Sequence, residues 1–340
     1  MGVTQGSRDE ASSGKGITVS TQSLGEQTVD LLARLVRLGC VNDLTADSGG
    51  EERAADLLEE FFAGLPVSIE RITPHPGRTT LVVTLEGSEP SSDGTPLTLV
   101  GHTDVVPVDE AKWTRDPFGA QIEDGVMWGR GTVDMLHLTA AMAVVTRQVA
   151  RRAQKGEPPA RSLVFVAAAD EEARGGLGVP WIGDNRPDAF PWDAALSEMG
   201  GAHIRGRRGG DSVVVVVGEK GAAQRRLHIR GDAGHGSVPL GRTSAVERLA
   251  QVSAALSAAR WPTAMDEVWA GFVRAFEFEE ATETSLINGT YEGDYAEFGD
   301  LAAFAHAVSH VTVAQTVAHS GGPINVMPSH ATLELDIRTL

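Results

Sequence analysis

Apolar positions recur along this chain with two periods, one helical and one strand-like. Val29, Leu32, Leu35 and Val36 lie three and four residues apart, as do Leu57, Leu58, Phe61, Phe62 and Leu65, and this spacing predicts two amphipathic helices. A strand-like run from Thr80 to Leu85 and a loop from Gly87 to Gly94 follow. Three short apolar runs come next, Leu97 to Val100, Leu163 to Ala169 and Ala194 to Ser197. Each leads straight into polar chemistry: His102 and Asp104 after the first, Asp170-Glu171-Glu172 after the second, Glu198 after the third. Between the first two lies Met135 to Arg152, a helical stretch rich in Ala, Val and Met, so the order is strand, helix, strand in the manner of an α/β sheet. Ligands of such sheets bind beyond the carboxyl ends of the strands, where these side chains fall.

Near residue 212 the pattern changes. A Val-rich strand (Val213 to Val217), a strand from Gln224 to Arg230, a helix from Ser244 to about Ala259 and strands at Val311 to Val317 and Ala331 to Ile337 predict a second, smaller α/β domain. The stretch Glu277 to Asp300 is polar with interspersed aromatics and reads as a surface excursion, its Asn288-Gly289-Thr290 sequon as accidental. The expected organisation is a disordered N-terminus (1–20), a metal-binding catalytic domain (21–212) and a lid or dimerisation domain (213–340).

A chain of 340 residues with 41% hydrophobic and 22% charged side chains has the composition of a globular protein, large enough for two domains. Its net charge of -17 argues against nucleic acid or an anionic membrane as a partner, because both need a positive field. Cys40 is the one cysteine, so neither an internal disulfide nor a thiolate zinc cage can form, and any metal must be held by His and carboxylates. Following an apolar helical run, Cys40 reads as a core residue. Met1 to Gly16 is polar and Gly/Ser-rich without an apolar signal segment, and no long apolar span follows, so a cytoplasmic protein is expected.

Taken singly, each polar cluster has an ordinary reading. His102 with Asp104 two residues on could be a loop or core histidine, or a metal ligand whose second ring nitrogen is oriented by the carboxylate. Asp134, after the glycine-rich turn Gly129 to Gly131, could be a helix N-cap or a carboxylate that bridges two cations. The three acids Asp170 to Glu172 could be a solvated loop. Alternatively one ligates metal while its neighbour takes a proton from water. His235, in Gly234-His235-Gly236-Ser237, could be a surface histidine or a donor to an oxyanion. The His102, Asp134 and Asp170-to-Glu172 clusters, with Glu198 as the fourth, stand in order at strand ends with only N and O donors, and together they favour zinc or a similar ion.

The combined motifs resemble one family, the two-zinc metallopeptidases that include aminoacylase, acetylornithine deacetylase, succinyl-diaminopimelate desuccinylase and glutamate carboxypeptidase. The resemblance runs from about Leu97 to the C-terminus through GHTDVVPV, DPFGAQIEDGVMWGRGTVDM, DEEARGG, SEMGG, EKG, GHGSVP, GGPINVMP and LDIR. It implies a three-layer α/β/α catalytic domain of the zinc-exopeptidase kind with an inserted α+β, ferredoxin-like lid. It implies two zincs per subunit, with cobalt or manganese as substitutes: His102 and Glu198 on one, Glu172 on the other, Asp134 bridging. Glu171 is then the general base of metal-activated water, Asp104 orients His102, and His235 reaches the site of a neighbouring subunit in a homodimer. Asn325 and Arg338 hold the substrate, a small N-acyl amino acid or peptide cleaved at its amide bond by a deacylase, dipeptidase or carboxypeptidase.

Two departures qualify the resemblance. Leu136-His137 stands where the family has Lys-Gly, which removes no ligand. The family chain also continues past the LDIR strand and supplies a last zinc-binding histidine, whereas this sequence ends at Leu340. Neither His137, His306, His310, His319 nor His330 stands in that histidine's context. Both domains are therefore expected to be incomplete at the C-terminus and the second zinc short of a ligand. A truncated or non-catalytic metal-binding member of the family is the alternative to an active hydrolase.

Overall fold

A computed structural model describes residues 22–89, 94–173 and 175–340. The expected disorder of residues 1–20 lies outside this range. The chain divides into two compact units, Met1–Glu198 and Met199–Leu340. The division falls earlier than the step expected at 212, because Ile204 already packs with Trp269, Val273 and Phe276 in the core of the second unit.

Unit 1 opens with α1 (Leu24–Leu38) and α2 (Glu52–Phe62). Ser23 and Glu26 form a reciprocal capping box at the start of α1, and Gly39, at φ 56, ends it in the left-handed conformation. The predicted helical faces are present: Leu32, Leu35, Val36, Leu58, Phe61 and Phe62 are buried, while Val29 is exposed. Then come β1 (Ser68–His75), β2 (Arg78–Leu85), β3 (Leu97–His102), the small hairpin β4 (Gln121–Glu123) and β5 (Val126–Trp128), α3 (Leu136–Gln154), β6 (Leu163–Ala168), α4 (Val179–Asn185) and β7 (Ala195–Leu196). The main sheet has the order β1-β2-β6-β3-β7. Its β6, β3 and β7 are parallel, with α3 crossing from β3 to β6, whereas β1 and β2 join antiparallel at one edge.

Two cores cover the sheet. Alternate strand residues Leu81, Val83, Leu99, Phe165 and Ala167 face α1, α2 and α3, and the residues between them, Val82, Val164, Val166 and Ala168, face Ile182 and Phe190. Burial on both faces explains why β6 is apolar throughout and why its polar residues wait until the chain leaves the sheet. Cys40 lies in the first core, where burial pushes its thiol up to about 12.

Unit 2 contains β8 (His203–Arg205), β9 (Asp211–Val213), β10 (Gly221–Ala222), β11 (Arg225–Arg230), β12 (Gly234–His235), α5 (Ala245–Ala258), α6 (Glu267–Ala275), α7 (Glu280–Ile287), α8 (Ala302–Ser309), β13 (Thr312–Ser320), β14 (Val326–Met327) and β15 (His330–Thr339). β15 is the central strand, antiparallel to β10 and β11 on one side and to β13 on the other, with α5 packed against it. Two expectations change here. Of Val213 to Val217 only Val213 lies in a strand, the rest forming an extended edge on which Val215 and Val217 are exposed. Glu277 to Asp300 is not a surface excursion: Phe278, Leu286, Tyr295 and Phe298 are buried with Trp269 in an aromatic core of their own. The polar residues between them face solvent from α7 and the turns, so average polarity hid the apolar anchors. Among the described residues no helix is long and apolar enough to cross a membrane.

Candidate metal centre

The carboxyl ends of β3, β6 and β7 and the start of α3 bring five side chains to one place in unit 1. His102 is the last residue of β3 and only 2% exposed. Its Nδ1 lies 2.9 Å from the carbonyl oxygen of Asp104 and 3.5 Å from the Asp104 carboxylate. The nearer partner accepts the Nδ1 proton and turns Nε2 outward. Asp104 thus orients His102 through its backbone more than through the carboxylate expected to do so. The carboxylate instead accepts the backbone N–H groups of Glu171, at 3.2 Å, and of Glu172, at 3.0 Å.

Around His102 Nε2 stand Asp134 Oδ1 at 3.1 Å, Glu198 Oε2 at 3.5 Å and Glu171 Oε2 at 3.8 Å. His102, Asp134 and Glu172 each offer a ligand atom, and these atoms all lie within 4.8 Å of one another. Donors on one zinc, each about 2.0 to 2.2 Å from it, sit roughly 3.3 Å apart in a tetrahedron, and the 3.1 Å between His102 Nε2 and Asp134 Oδ1 suits a shared ion. Asp134 reaches it from the turn before α3, where Gly131, at φ 85, leaves no room for a side chain beside Val105 and Leu136. Thr139 of α3 donates to the His102 carbonyl at 2.8 Å and fastens the helix to the strand end.

The electrostatics fit a cation. Burial alone would push His102 down, but Asp104 and Glu198, joined by the charge of Glu171, raise it to about 11. Burial raises Glu172 to about 7, against the pull of His102 and with the push of Asp134, Asp104 and Glu171. Burial likewise raises Glu171. Glu198 is lowered by its bond to His102. The raised values of His102, Glu171 and Glu172 reflect negative charge gathered in a partly buried site, which a divalent ion would neutralise.

The other candidates lie in unit 2. His235 in β12 pairs with Val326 of β14, and the Gly236 N–H donates to the Asn325 carbonyl at 2.8 Å, so His235 and Asn325 share one ribbon. Arg338 stands near the far end of β15, eight residues from His330, or about 26 Å at about 3.3 Å per residue. Its guanidinium is engaged by Asp336 at 2.9 and 3.2 Å.

Sequence reasoning missed a buried polar layer under the centre: Asn42, Glu51 and Arg78, each fully buried. Arg78 Nη1 donates to Glu51 Oε1 at 2.7 Å, and Nη2 to Asn42 Oδ1 at 3.2 Å. Nothing in their local sequence separates them from surface residues.

The parallel strand ends of the mixed sheet, with the turn before α3, gather one histidine and four carboxylates, a donor set suited to a divalent metal ion. Peptidase family M20/M25/M40 matches residues 98–331, more than half of the chain, and the protein belongs to that family. Among solved structures it resembles the M20 family metallo-carboxypeptidase Sso-CP2 of Sulfolobus solfataricus (19% identity, TM-score 0.63), with 92% of this chain and 71% of that one covered. It also resembles the di-peptidase Dug1p of Saccharomyces cerevisiae (17%, TM-score 0.61, 93% and 70% covered) and human carnosine dipeptidase 1 (14%, TM-score 0.57, 92% and 69% covered). At these identities the likeness is one of fold.

Proposed function

We propose that the protein hydrolyses the amide bond of a small N-acyl amino acid or peptide, as a deacylase, dipeptidase or carboxypeptidase, with Glu171 as general base. The observation that carries this reading is the convergence of Asp134, Glu171 and Glu198 on one imidazole nitrogen, with Glu172 in the same cluster. His102, Asp134, Glu172 and Glu198 would hold zinc, or cobalt or manganese in its place. The ion supplies Lewis acidity toward the scissile carbonyl and acidifies water. Glu171, half-buried and shifted toward its protonated form, takes a proton from the attacking water. The water oxygen bonds to the carbonyl carbon, the C–N bond breaks, and the proton on Glu171 passes to the leaving amine.

His235 is suited to the oxyanion. The Ser237 N–H donates to its Nδ1 at 3.2 Å, so Nδ1 is the acceptor and the neutral ring carries its hydrogen on Nε2. Asn325, beside it, and Arg338 are assigned to the substrate, with Arg338 exchanging Asp336 for a substrate carboxylate.

Zinc content and turnover of a panel of N-acyl amino acids and dipeptides test this reading. Chelation is expected to abolish hydrolysis and zinc to restore it. Glu171→Gln is expected to keep the metal and lose about 10²- to 10⁴-fold in kcat, the usual worth of a general base. Turnover unchanged in that variant, or none from the zinc-loaded wild type, would sink the proposal.

A further inference from the structure

The buried layer beneath the centre contains one side chain whose hydrogen bonds tie two strand ends together. Asn42 follows the first helix, far in sequence from any metal-binding motif. Its orientation is set by groups that can only donate: Arg78 Nη2 at 3.2 Å and the Leu44 N–H at 3.0 Å both point at Oδ1. Nδ2 therefore faces the other way, toward Asp104 Oδ2 at 2.8 Å and Asp170 Oδ1 at 3.1 Å, with one hydrogen for each. Asp104 lies just beyond β3 and Asp170 just beyond β6.

Both of these carboxylates hold the turn that carries Glu171 and Glu172. Asp104 receives the N–H groups of the two glutamates, one on each oxygen. Asp170 has φ 63, a left-handed conformation uncommon outside glycine that aspartate tolerates better than most residues. Every polar atom of Asp170 is engaged: its N–H donates to Glu51 Oε1 at 3.0 Å and its carbonyl accepts from Gly175 at 2.6 Å. Its Oδ2 accepts the Leu177 N–H at 2.8 Å, and Oδ1 takes the Asn42 amide. The Asn42 amide thus gives one hydrogen bond to each of two buried carboxylates, while the Arg78 guanidinium, 3.4 Å from Asp170 Oδ1, supplies the positive charge beside them.

We propose that Asn42 is a positioning residue for Glu171 and Glu172: by bridging Asp104 and Asp170, it fixes the turn from which both glutamates reach the metal centre. This rests on the reading of the site given above. An aspartate at position 42 would keep the size and the contact with Arg78 but set a third carboxylate against the other two. Removing the amide altogether would free the turn without that repulsion.

Asn42→Asp and Asn42→Ala in the full chain test the bridge by three readouts. Hydrogen exchange of metal-free protein should show the Glu171, Glu172 and Leu177 amides exchanging at least about tenfold faster, with β2 and β6 as in wild type. Zinc affinity, measured against a competing chelator, should fall about 10- to 100-fold, the usual effect of losing a partner behind a metal ligand. For any substrate turned over, kcat should fall while KM stays within about threefold. Asn42→Asp should be the more severe, and Asn42→Ser, which keeps one donor, serves if either variant does not fold. Wild-type exchange in the turn together with wild-type zinc affinity would overturn the proposal. So would equal acceleration of exchange in β2 and β6, which would make Asn42 an ordinary contributor to stability. Exchange and zinc affinity need no turnover, so a chain that shows both effects but cleaves nothing in the panel would refute the proposed reaction and leave the bridge standing.

Discussion

Replacing Arg78 by methionine isolates what its buried charge contributes. The side chain is fully buried, with its guanidinium 2.7 Å from Glu51 and 3.4 Å from Asp170, and it also donates to Asn42, Ser48 and the carbonyls of Thr45 and Ala46. Methionine fills most of the stem volume but leaves Glu51 without its cation, and Glu51 is itself fully buried. Breaking one side of a buried pair costs about 3 to 5 kcal/mol, against a total stability of about 5 to 15 kcal/mol for a domain. With a urea m-value of about 2 to 3 kcal/mol/M, the unfolding midpoint of unit 1 should fall by about 1 to 2.5 M.

Following hydrogen exchange in β2 and β6 during urea titration reads unit 1 separately from unit 2. The loss should also depend on pH in a set direction. Burial already raises the Glu51 carboxyl in the wild type, and removing Arg78 raises it further. An acid raised in the folded state costs nothing below its unfolded value of about 4.3, and its cost grows as pH rises toward the folded value. Arg78→Met should therefore be milder at pH 4 than at pH 8, and Glu51→Gln should recover part of the loss at pH 8. A cost below about 1 kcal/mol at pH 8, or the same cost at both pH values, would refute the reasoning that an unpaired charge is responsible.

Two further outcomes follow from the site. Zinc must displace the proton of His102, which burial disfavours but Asp104, Glu198 and Glu171 raise to about 11, and, at low pH, the one on Glu172, which burial raises to about 7. Zinc affinity should thus rise about 100-fold per pH unit below 7 and about tenfold per unit above it, and calorimetry in buffers of different ionisation heat should detect the released protons; affinity independent of pH would contradict this. Asp336→Asn should free the Arg338 fork and lower KM for a carboxylate substrate by up to about fivefold, the worth of an exposed pair of at most about 1 kcal/mol, whereas Arg338→Lys should raise it. An unchanged KM in both would remove Arg338 from the substrate site.

How much of this could be read from sequence depended on whether a residue's surroundings are local. The run Leu163 to Ala169 announces β6 because a strand covered on both faces must be apolar throughout, and the acids after it then mark where the chain leaves the sheet. The helix expected over Met135 to Arg152 appears as Leu136–Gln154 for the same kind of reason. Phe278 and Phe298, by contrast, are buried by each other and by Trp269, and no periodicity links them. Val215 to Val217 have strand propensity but no partner strand among the described residues. Asn42, Glu51 and Arg78 were invisible because a charged or amide side chain shows its burial only through partners that lie far away in sequence.

The length of β15 sets a rule for whatever this domain grips. His235 belongs to the ribbon at the His330 end of the strand, and Arg338 lies about 26 Å along it. A dipeptide spans about 7 Å between its ends. No molecule of that size can touch both groups on one copy of the chain, so the strand acts as a ruler that keeps its two ends for two different tasks.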